Sequence, residues 1–462
     1  MELTREQEWQ GRAYLEAYRS LVGDRRTWRT FEETVSGIIK AGTLVCQRIA
    51  ASSAVLGAVK DGGQRVIRMV TGESTRRSRL GAQELVERLQ ARGIAHLSAG
   101  GSAELWAIMD ESELRKPYAR EMPALMQVRA LDGKLVPGYR TLNVIGVTSA
   151  RQGILYHRLF SSAEAEFTSE SLEVQTALES VSRALEPWRS QLVVTWIMDT
   201  GFDDVAVWRT IWEQQAHVVC RVKHSERKLR YRTRDGAWEA GSIALACEHL
   251  ERLASAQMQL EIRLQGQPRP KRQMVTAELS TCPLELSYNE QVRRAGEYHE
   301  RCQSLWLVQV RLLKSDWEPW LLVTDWPVSD AESIVRILQM YRQRWSVEDS
   351  FKFTKQLLGW EEVQLLDLEG IRNLVALGWV AAGFLYELGV TLEWEEVQLL
   401  ARLGGWAERQ DRPPGRITLT RGLRRLLDML ATQALLESYR ADYGSLPPRL
   451  EALLPHHPPP EL

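Results

Sequence analysis

Cysteine is scarce in this chain of 462 residues, and its placement excludes one kind of chemistry. The five cysteines (Cys46, Cys220, Cys247, Cys282 and Cys302) lie far apart, with no Cys-x-x-Cys pair and no Cys/His spacing typical of zinc ligands. A zinc-dependent mechanism built on these residue types is therefore excluded. No basic segment followed by an apolar run stands at the N-terminus, so no secretory signal is apparent. Both observations favour a reducing, cytoplasmic compartment.

The chain also lacks a long hydrophobic run and an excess of charge of either sign. Its longest apolar stretch, LVALGWVAAGFLY at 374–386, is shorter than the roughly 20 residues that span a membrane, so we expect a buried helix and no membrane partner. With 59 Lys and Arg against 60 Asp and Glu, the formal net charge is −1, and 44% of the residues are hydrophobic. These values are typical of a soluble globular protein, and the length predicts two to four domains.

Positive charge is concentrated in a few segments, although the total is balanced. The segment RVKHSERKLRYRTR at 221–234 has seven Lys and Arg residues against one Glu. Shorter clusters are TRRSR at 75–79, RPKR at 269–272 and RITLTRGLRR at 416–425. Any one of them is more often a solvated surface than a binding site, but several together predict a polyanion that contacts more than one part of the chain.

The pattern of apolar residues predicts helices first and then an α/β arrangement. Residues 1–100 have helical spacing, and the segment SRLGAQELVERLQARG predicts a helix that ends at Gly93. Strand-like runs follow in the order strand, two strands, helix, strand, helix, strand, and the two consecutive strands, YRTLNVIGVTS and GILYHRLFSS, predict a hairpin. That order is typical of a layered α/β fold with at least partly parallel strands.

Five segments follow from this pattern. Residues 101–224 form the first part of an α/β core, and residues 322–400 form its second part. Between them, short alternating segments predict a β-rich insertion at 225–321. The core is flanked by a helical N-terminal domain at 1–100 and by a helical C-terminal region at 401–462, which ends in a proline-rich tail.

Two predicted strands end in aspartate. The run ELWAIMD ends at Asp110, and QLVVTWIMD ends at Asp199. Ligands and catalytic groups gather at the carboxyl ends of strands in open α/β sheets, so both side chains can lie at one sheet edge. Asp325 also ends a strand, but it lies only 23 residues before Glu348, and we interpret it as a loop acid. The alternatives are Glu111, Glu113 and Asp132 for the first position, and Asp203 and Asp204 for the second.

The segment YRQRWSVEDSFKFTK at 341–355 predicts a helix with a charged stripe beside an apolar one. At about 100° per residue, Tyr341, Arg344, Glu348 and Lys355 fall within an arc of about 60°. One interpretation is an ordinary solvated face with an ion pair between Arg344 and Glu348. The other is that Glu348 joins the two strand-end aspartates.

Three carboxylates gathered at one place repel one another unless a cation neutralises them. Oxygen ligands with open positions for water and phosphate suit Mg²⁺, for which Mn²⁺ can substitute. Two such ions would activate a water and stabilise a leaving 3′-oxygen in an in-line displacement at phosphorus. On this interpretation, Arg344, Lys355 and Tyr341 hold phosphates of a polyanionic substrate near the metals. The predicted catalytic and metal-binding residues are Asp110, Asp199 and Glu348.

The spacing of Tyr341, Arg344, Glu348 and Lys355 resembles the YREK signature of DDE-type transposases of bacterial insertion sequences. Around it, IMDESELRK is similar to the family's first-Asp segment, IMDTGFDD followed by VVCRVKHS to its second, and PWLLVTDWPV to the strand before the signature helix. The resemblance extends over about 105–400. It implies an RNase H-like catalytic core and cut-and-paste transposition, in which metal-dependent cleavage at the transposon ends, through a hairpin, precedes joining to target DNA.

The resemblance also implies partners and further contact residues. The N-terminal domain would recognise double-stranded DNA at the inverted-repeat ends, and the C-terminal helices would help form a homodimer that acts at the nucleoid. Trp320, 21 residues before Tyr341, resembles an aromatic of the family that stacks on a base flipped out near the cleavage site, with Trp317 and Trp326 as alternatives. The remaining candidates for DNA contact are Lys116, Arg227, Lys228 and Arg230.

Two other functions remain compatible with the sequence. A structure-specific nuclease with an RNase H-like core would use the same carboxylates, but it would need neither a long insertion nor an end-binding domain. A non-catalytic DNA-binding derivative of a transposase would lack part of the acid set, whereas all three acids are present in this chain. The sequence therefore favours an active transposase.

Overall fold

The computed structural model describes residues 11–447 apart from 54–55, 57, 73–79, 131, 263–270, 292–297, 314–316 and 407–413. Most of the described residues before 100 are helical. The helices are α1 (Arg25–Ala41), α2 (Cys46–Ala51), α3 (Val59–Thr71) and α4 (Ala82–Ser98). Helix α1 begins where the Asp24 side chain accepts two backbone N–H groups, and it ends at Gly42, whose φ is 65°. The basic clusters predicted at 75–79 and 269–272, and most of the proline-rich tail, lie outside the described residues or side chains.

The next segment supplies a sheet and two helices that cover it. Its elements are β1 (Glu104–Arg115), β2 (Met126–Arg129), β3 (Leu135–Val147), β4 (Gln152–Phe160), α5 (Glu170–Leu185), β5 (Val193–Met198), α6 (Val205–Glu213) and β6 (His217–Arg221). The predicted hairpin is confirmed, since β3 and β4 pair antiparallel with Val147 opposite Gln152. Strand β1 is parallel to β5, and β5 is parallel to β6. The mixed α/β arrangement expected from the sequence is therefore present.

The predicted insertion extends the same sheet. It comprises β7 (Lys228–Arg232), β8 (Trp238–Ser242), α7 (Ile243–Ala246), β9 (Glu251–Ile262), β10 (Lys271–Gln291) and β11 (Tyr298–Leu312). Strand β12 (Trp320–Thr324) lies between β6 and β11 and pairs antiparallel with both. The 12 strands have the order β2-β3-β1-β5-β6-β12-β11-β10-β7-β8, with β4 on β3 and β9 on β10. The boundary predicted at 321 thus falls inside β12, within a continuous sheet.

A hydrophobic core lies on each face of the sheet, because successive side chains of a strand point to opposite faces. In β1, Ala107 and Met109 belong to the core that includes α5 and α6, whereas Ile108 belongs to the other core. The second core is shared with the N-terminal helices and with α8 (Ala331–Arg342), α9 (Trp345–Leu357) and α10 (Leu368–Thr391). The face of β1 that contains Ile108 is therefore the face on which α8 and α9 pack.

Helix α10 is the buried helix predicted from the apolar stretch at 374–386. By length and composition it is long enough to cross a membrane, but 72% of its most apolar window is buried inside the protein, as in the core helix of a soluble protein. The chain continues through α11 (Trp394–Leu403) to α12 (Arg416–Tyr443), whose first turns pack against α11 and α1. Most side chains in the last four turns of α12 are exposed.

Helix α4 continues past Gly93, so the prediction that it ends there is wrong. Gly93 lies inside Ala82–Ser98, where α4 packs on β4. A Cβ added at Gly93 would clash with the Ile154 carbonyl oxygen, and one added at Gly153 would lie 3.1 Å from the Gly93 carbonyl oxygen. Close approach of helix and strand therefore requires this glycine, which is not a helix C-cap.

Gly93→Ala tests this close approach, and Gly389→Ala in α10 is the matched control. Helix propensity alone would stabilise both variants by about 1 kcal/mol. At Gly93 the clash with Ile154 outweighs that gain, so we expect a net loss of about 1–3 kcal/mol in the free energy of unfolding. At Gly389 no heavy atom of the described residues lies within 4 Å of an added Cβ, so stability should be unchanged or higher. Urea unfolding measures both variants, and equal effects would contradict the packing role.

Candidate active site

The register of two parallel strands brings Asp110 and Asp199 to the same level of the sheet. The pairing of β1 with β5 ends at Ile108 opposite Ile197. Asp110 follows Ile108 by two residues, and Asp199 follows Ile197 by two residues. Residues two apart in a strand point to the same face, so Asp110 leaves the sheet on the face of Ile108, where α8 and α9 pack.

Asp110 does not end its strand, which corrects the sequence prediction. Strand β1 continues because its other edge stays paired with β3 as far as Arg115 opposite Gly138. Only the pairing with β5 stops before Asp110, and this leaves its carboxyl group at an opening between two strands. Asp199 does follow the end of β5, where its Oδ1 accepts the first N–H of the short 3₁₀ turn Thr200–Phe202 at 2.9 Å.

The segment 341–355 forms parts of two helices, whereas the sequence predicts one straight helix. Helix α8 ends at Arg342 and α9 begins at Trp345. Four N–H groups around this joint bond to the carbonyl oxygen three residues earlier, which is the tighter winding of a 3₁₀ helix. These N–H groups belong to Gln343, Arg344, Ser346 and Val347. The joint places Arg344 at the N-terminus of α9, one turn before Glu348.

The Arg344 guanidinium lies among the three predicted acids. Its Nη1 is 3.6 Å from Oδ2 of Asp110 and 3.6 Å from Oδ2 of Asp199. Its Nη2 donates to Oε1 of Glu348 at 2.6 Å. The Arg344 side chain is only 11% exposed, whereas that of Glu348 is 52% exposed. The structure thus gathers two strand aspartates and one helix glutamate around one buried cation.

Two further side chains lie close to the Asp199 carboxylate. The Tyr341 hydroxyl donates to its Oδ1 at 3.3 Å, and Nη1 of Arg221 lies 4.0 Å from the same oxygen. Arg221 is not among the residues predicted for the site, although the sequence contained a signal for it. It belongs to the basic segment 221–234 and ends β6, the parallel neighbour of β5, so it reaches the sheet edge that Asp199 occupies.

Burial and neighbouring charges shift the pKa values in this cluster. Burial raises the pKa of Asp110 to about 7; the Arg344 guanidinium opposes this shift, and the charges of Asp199 and Glu348 add to it. Burial would lower the pKa of Arg344, but the same two acids outweigh it, so its pKa is raised and it stays a cation. Burial and the charge of Asp199 also raise the pKa of Tyr341, which keeps its proton as a donor.

The acids that the sequence left as alternatives near Asp199 have structural partners instead. Asp203 is buried, accepts two backbone N–H groups and forms an ion pair with Arg227 at 2.6 Å. Asp204 caps the N-terminus of α6. Asp325 binds Nδ1 of His217 at 2.9 Å and a backbone N–H of β6, which agrees with its interpretation as a loop acid. None of these carboxyl groups contacts Arg344 among the described contacts.

The alternatives to Asp110 also lie elsewhere. Glu111 points to the opposite face of β1, where it lies 3.9 Å from an arginine of β3. Asp132 stands in an exposed turn and pairs with Lys134 at 3.0 Å. Glu113 adds to the negative field around Lys355. Asp110 is therefore the acid of this segment that reaches the cluster.

Two lysines predicted to contact phosphate lie on either side of Glu361 instead. Lys116 is buried, and its Nζ donates to the carbonyl oxygens of Glu361 at 2.7 Å and of Val363 at 2.5 Å, an arrangement that does not favour the contact with DNA, which stays a prediction. Burial lowers the pKa of Lys116 to about 8. Lys355 lies two turns beyond Glu348 on α9, with its Nζ 3.8 Å from a Glu361 carboxyl oxygen. These contacts attach the end of β1 to the turn that follows α9.

Trp320 is buried next to the joint between α8 and α9, a position that does not favour its predicted role in stacking on a base. It is 8% exposed, and its ring lies 5.9 Å from the rings of Tyr341 and Trp345. In this conformation the indole is not exposed to a flipped base and packs against the Tyr341 ring instead. Of the alternatives, Trp326 stacks on a histidine of β6 at 3.9 Å, and Trp317 is 46% exposed.

The three cations predicted to contact DNA from the insertion differ in exposure. Arg227 is 11% exposed and paired with the fully buried Asp203, an arrangement that does not favour its contact with DNA, which stays a prediction. Lys228 and Arg230 lie on the exposed side of β7. Arg230 is 53% exposed and forms an ion pair with Glu285 at 2.9 Å. An exposed positive face remains on this strand, without Arg227.

The carboxylate oxygens of the cluster suit a hard divalent cation, but in this structure they do not converge on one point that a metal ion could occupy. Carboxylate oxygens such as those of Asp110, Asp199 and Glu348 are the ligands that Mg²⁺ prefers. Within the described part of the chain, however, no three His, Cys, Asp or Glu side chains are arranged to hold one metal ion. The Arg344 guanidinium stands between the acids instead. The residues therefore fit the metal in chemical type, although their arrangement in this structure is not that of a metal site.

Asp110→Asn tests the burial of this carboxyl group through the pH dependence of stability. The folded state raises the pKa of Asp110 from 3.8 to about 7, so it binds this proton more tightly than the unfolded chain does. The stability that the protonated group contributes is complete below pH 4 and is lost as the pH rises through 7. Asparagine cannot ionise. The metal-free variant should therefore gain stability relative to wild type between pH 4 and 8, on the order of 1–3 kcal/mol at pH 8.

Chemical unfolding in the presence of a chelator at pH 4, 6 and 8 measures this difference. Asp132→Asn, at an exposed turn, is the matched control and should show no such rise. A stability difference between Asp110→Asn and wild type that stays constant over this range would contradict the raised pKa.

The chain is similar to known proteins in sequence and in structure. The family model for the transposase DDE domain matches residues 123–382, more than half of the chain, and this range includes Asp199, Arg344 and Glu348. Among solved structures, the cryo-EM structure of the piggyBac transposase synaptic complex with hairpin DNA is similar, with 12% sequence identity and a TM-score of 0.36 over 77% of this chain. The match spans 58% of that chain, and no curated protein matches the sequence. The chain belongs to the transposase DDE domain family.

Proposed function

We propose that this chain is the transposase of a bacterial insertion sequence, which cleaves DNA at the ends of its element and joins them to a target by cut-and-paste transposition. The observation that carries the proposal is the convergence of Asp110, Asp199 and Glu348 on the Arg344 guanidinium. A partly buried acid with a perturbed pKa, such as Asp110 in this cluster, is typical of a catalytic site. Membership of a transposase family makes DNA phosphodiesters the fitting substrate.

The order of the first strands supports an RNase H-like catalytic core. Strands β4, β3 and β1 are antiparallel neighbours, and β5 and β6 follow on the other side of β1 in parallel orientation. Asp110 on β1 and Asp199 after β5 occupy adjacent strands of this arrangement. The insertion leaves the core after β6 and returns through β12 before the helices that contain Tyr341 and Glu348.

The three acids are the groups that would hold the metal ions, for which we propose Mg²⁺, with Mn²⁺ as a substitute. When bound, such ions activate the attacking water or 3′-hydroxyl and stabilise the leaving oxygen in an in-line displacement at phosphorus. The chain's own residues position the DNA. Arg344 and Tyr341 present N–H and O–H donors beside Asp199, and Arg221 adds a second guanidinium there. Planar guanidinium groups suit bidentate binding of phosphate oxygens.

A second DNA contact is proposed on the β7–β8 hairpin, at the edge of the sheet. Lys228, Arg230 and Arg232 alternate with two buried residues of β7, so these three exposed cations, named here the hairpin strip, lie on one side of the strand. Trp238 of β8 lies opposite Arg232 and is 36% exposed. A row of exposed cations on the strand next to the sheet edge fits a phosphate backbone without base specificity.

The remaining parts of the chain are proposed to assemble the complex. The exposed end of α12 presents large apolar side chains within one side of the helix, which fits a second copy of the chain in a homodimer. They are Met429, Leu435, Tyr439 and Tyr443. The N-terminal helices are proposed to recognise the inverted repeats. Such an assembly acts on DNA of the nucleoid, in the cytoplasm.

Substitution of each acid tests the proposed chemistry. The substrate is a labelled duplex with the inverted repeats that flank the coding sequence. We expect Asp110→Asn, Asp199→Asn and Glu348→Gln each to lower strand cleavage by about a thousandfold or more while end binding is retained. Asp349→Asn, which changes the exposed acid next to Glu348, is the matched control and should keep most of the activity.

Gel analysis of cleaved and joined products checks this expectation. Cleavage that proceeds in a chelator, or an equal loss in Asp349→Asn and Glu348→Gln, would count against the assignment. A nuclease would cut the substrate without joining its ends to a target plasmid, so the joined product separates the two functions.

Replacement of the hairpin strip by glutamine tests the second contact. If the three cations bind phosphates, the affinity for duplexes of any sequence falls, and the slope of log affinity against log salt flattens by about 0.9 for each phosphate that is no longer neutralised. The matched control replaces three exposed cations elsewhere, namely Arg129, Lys134 and Arg183. Fluorescence anisotropy at several salt concentrations measures the slopes. A slope that is unchanged, or flattened equally in the control, would show that the strip is only a solvated surface.

A further inference from the structure

Arg344 occupies the place that a metal ion would need. Its guanidinium lies within 3.6 Å of an oxygen of each of Asp110, Asp199 and Glu348. The side chain is largely buried, so its charge is the main local compensation for these acids. In this arrangement an internal cation compensates the charge of the acids, and its largely buried guanidinium lies against them.

The contacts of Arg344 are unequal, as expected of a group that can leave. The two contacts from Nη1 to the strand aspartates, at 3.6 Å, are longer than a hydrogen bond. The short contact, at 2.6 Å, is to Glu348 on the same helix. The Arg344 Nε is buried and has no hydrogen-bond partner among the described residues. Arg344 is therefore held firmly by α9 and only loosely by the sheet.

The position of Arg344 in the chain also favours movement. It stands in the 3₁₀-wound joint between α8 and α9, and such a segment between two helices often marks a hinge. Glu348, its short-range partner, is half exposed, so the guanidinium can follow this carboxylate toward the solvent side of the site. Tyr341 and Arg221 also lie beside Asp199, so this acid has neighbours other than Arg344.

We propose that Arg344 is the resident counter-ion of the three acids and that it exchanges places with a divalent cation, which releases its guanidinium to bind a DNA phosphate. This inference rests on the proposed function and deepens it, because it couples two binding events through one side chain. Without metal, Arg344 neutralises the acids and is withheld from DNA. With the acids compensated by a metal, Arg344 is free to bind phosphate. By linkage, DNA must raise the metal affinity by the same factor by which metal raises the DNA affinity.

Titration of Mn²⁺ into the DNA-free protein tests the exchange by a binding measurement that does not depend on activity. Arg344→Gln removes the competing cation, so we expect it to bind Mn²⁺ at least about 5-fold more tightly than wild type. Lys352→Gln removes an exposed cation from the same helix and is the matched control, with a change of less than about 2-fold. If Arg344 merely holds the acids in place, its loss would weaken Mn²⁺ binding. An unchanged or weaker affinity overturns the proposal.

The coupling itself is measured by DNA binding with and without Ca²⁺, used in place of Mg²⁺ to limit cleavage. A short duplex of arbitrary sequence serves as the probe. In wild type, saturating Ca²⁺ should tighten DNA binding by about 5- to 150-fold, and Arg344→Gln should lose most of this effect. Equal coupling in both proteins would mean that the metal bridges phosphates without Arg344, and it would overturn the proposal.

Arg344→Lys keeps the comparison available if Arg344→Gln does not fold. Lysine retains the charge but lacks the planar fork that spans three carboxylates, so its Mn²⁺ affinity should lie above that of wild type. Failure of the proposed function gives a different result. If wild type binds no Mn²⁺, or if Asp110→Asn binds it as tightly as wild type, the acids are not a metal site and both proposals fall. If Mn²⁺ binding requires Asp110 but is unaffected by either Arg344 variant, only the exchange is wrong.

Discussion

Parallel pairing of β1 with β5 is the constraint on which the candidate site depends. Ile108 and Ile197, the last facing pair, are fully buried, so the core anchors this register. A slip of one residue would turn one aspartate to the opposite face of the sheet. The sheet fixes the positions of the two aspartates, so the site is completed when side chains of α8 and α9 extend to them. Tyr341 and Arg344 do so from either side of the joint between these helices.

Glu361 organises a second set of contacts that keeps α9 against β1. Its carboxylate binds Arg115 at 2.8 Å and lies 3.8 Å from Lys355, while its carbonyl oxygen accepts from Lys116. These partners come from the end of β1 and the last turn of α9. Three cations close to the site in sequence therefore have a partner within the protein, in the turn that follows α9.

The acids were predictable from sequence, but much of their surroundings was not. Aspartates that follow buried apolar runs and a glutamate in a charged helical segment leave local signals, and the structure brings them together around Arg344. The joint at Arg344 leaves none, because a 3₁₀ segment of only a few residues is too short to change the spacing of apolar side chains visibly. Burial of cations is also invisible to composition: Arg424 of the predicted basic cluster donates to carbonyl oxygens of two other helices. The heptapeptide WEEVQLL, which occurs twice in the chain, shows the same limit. At 360–366 it begins with a 3₁₀ turn, and its Trp360 is buried. At 394–400 it lies in helix α11, and its Trp394 is 58% exposed.

The continuity of the sheet beyond β6 sets a length. One row of facing residues runs from Val219 of β6 through Thr324 and Trp306 to Pro283 of β10, and β10 then pairs with β7. At roughly 4.8 Å between neighbouring strands, β7 lies about 19 Å from β6. A duplex rises about 3.4 Å per base pair, so this separation corresponds to about five or six base pairs. The number of strands between β6 and β7 therefore fixes the distance from the hairpin strip to the acids, and under the proposed function it would set the spacing between two contacts on one DNA duplex.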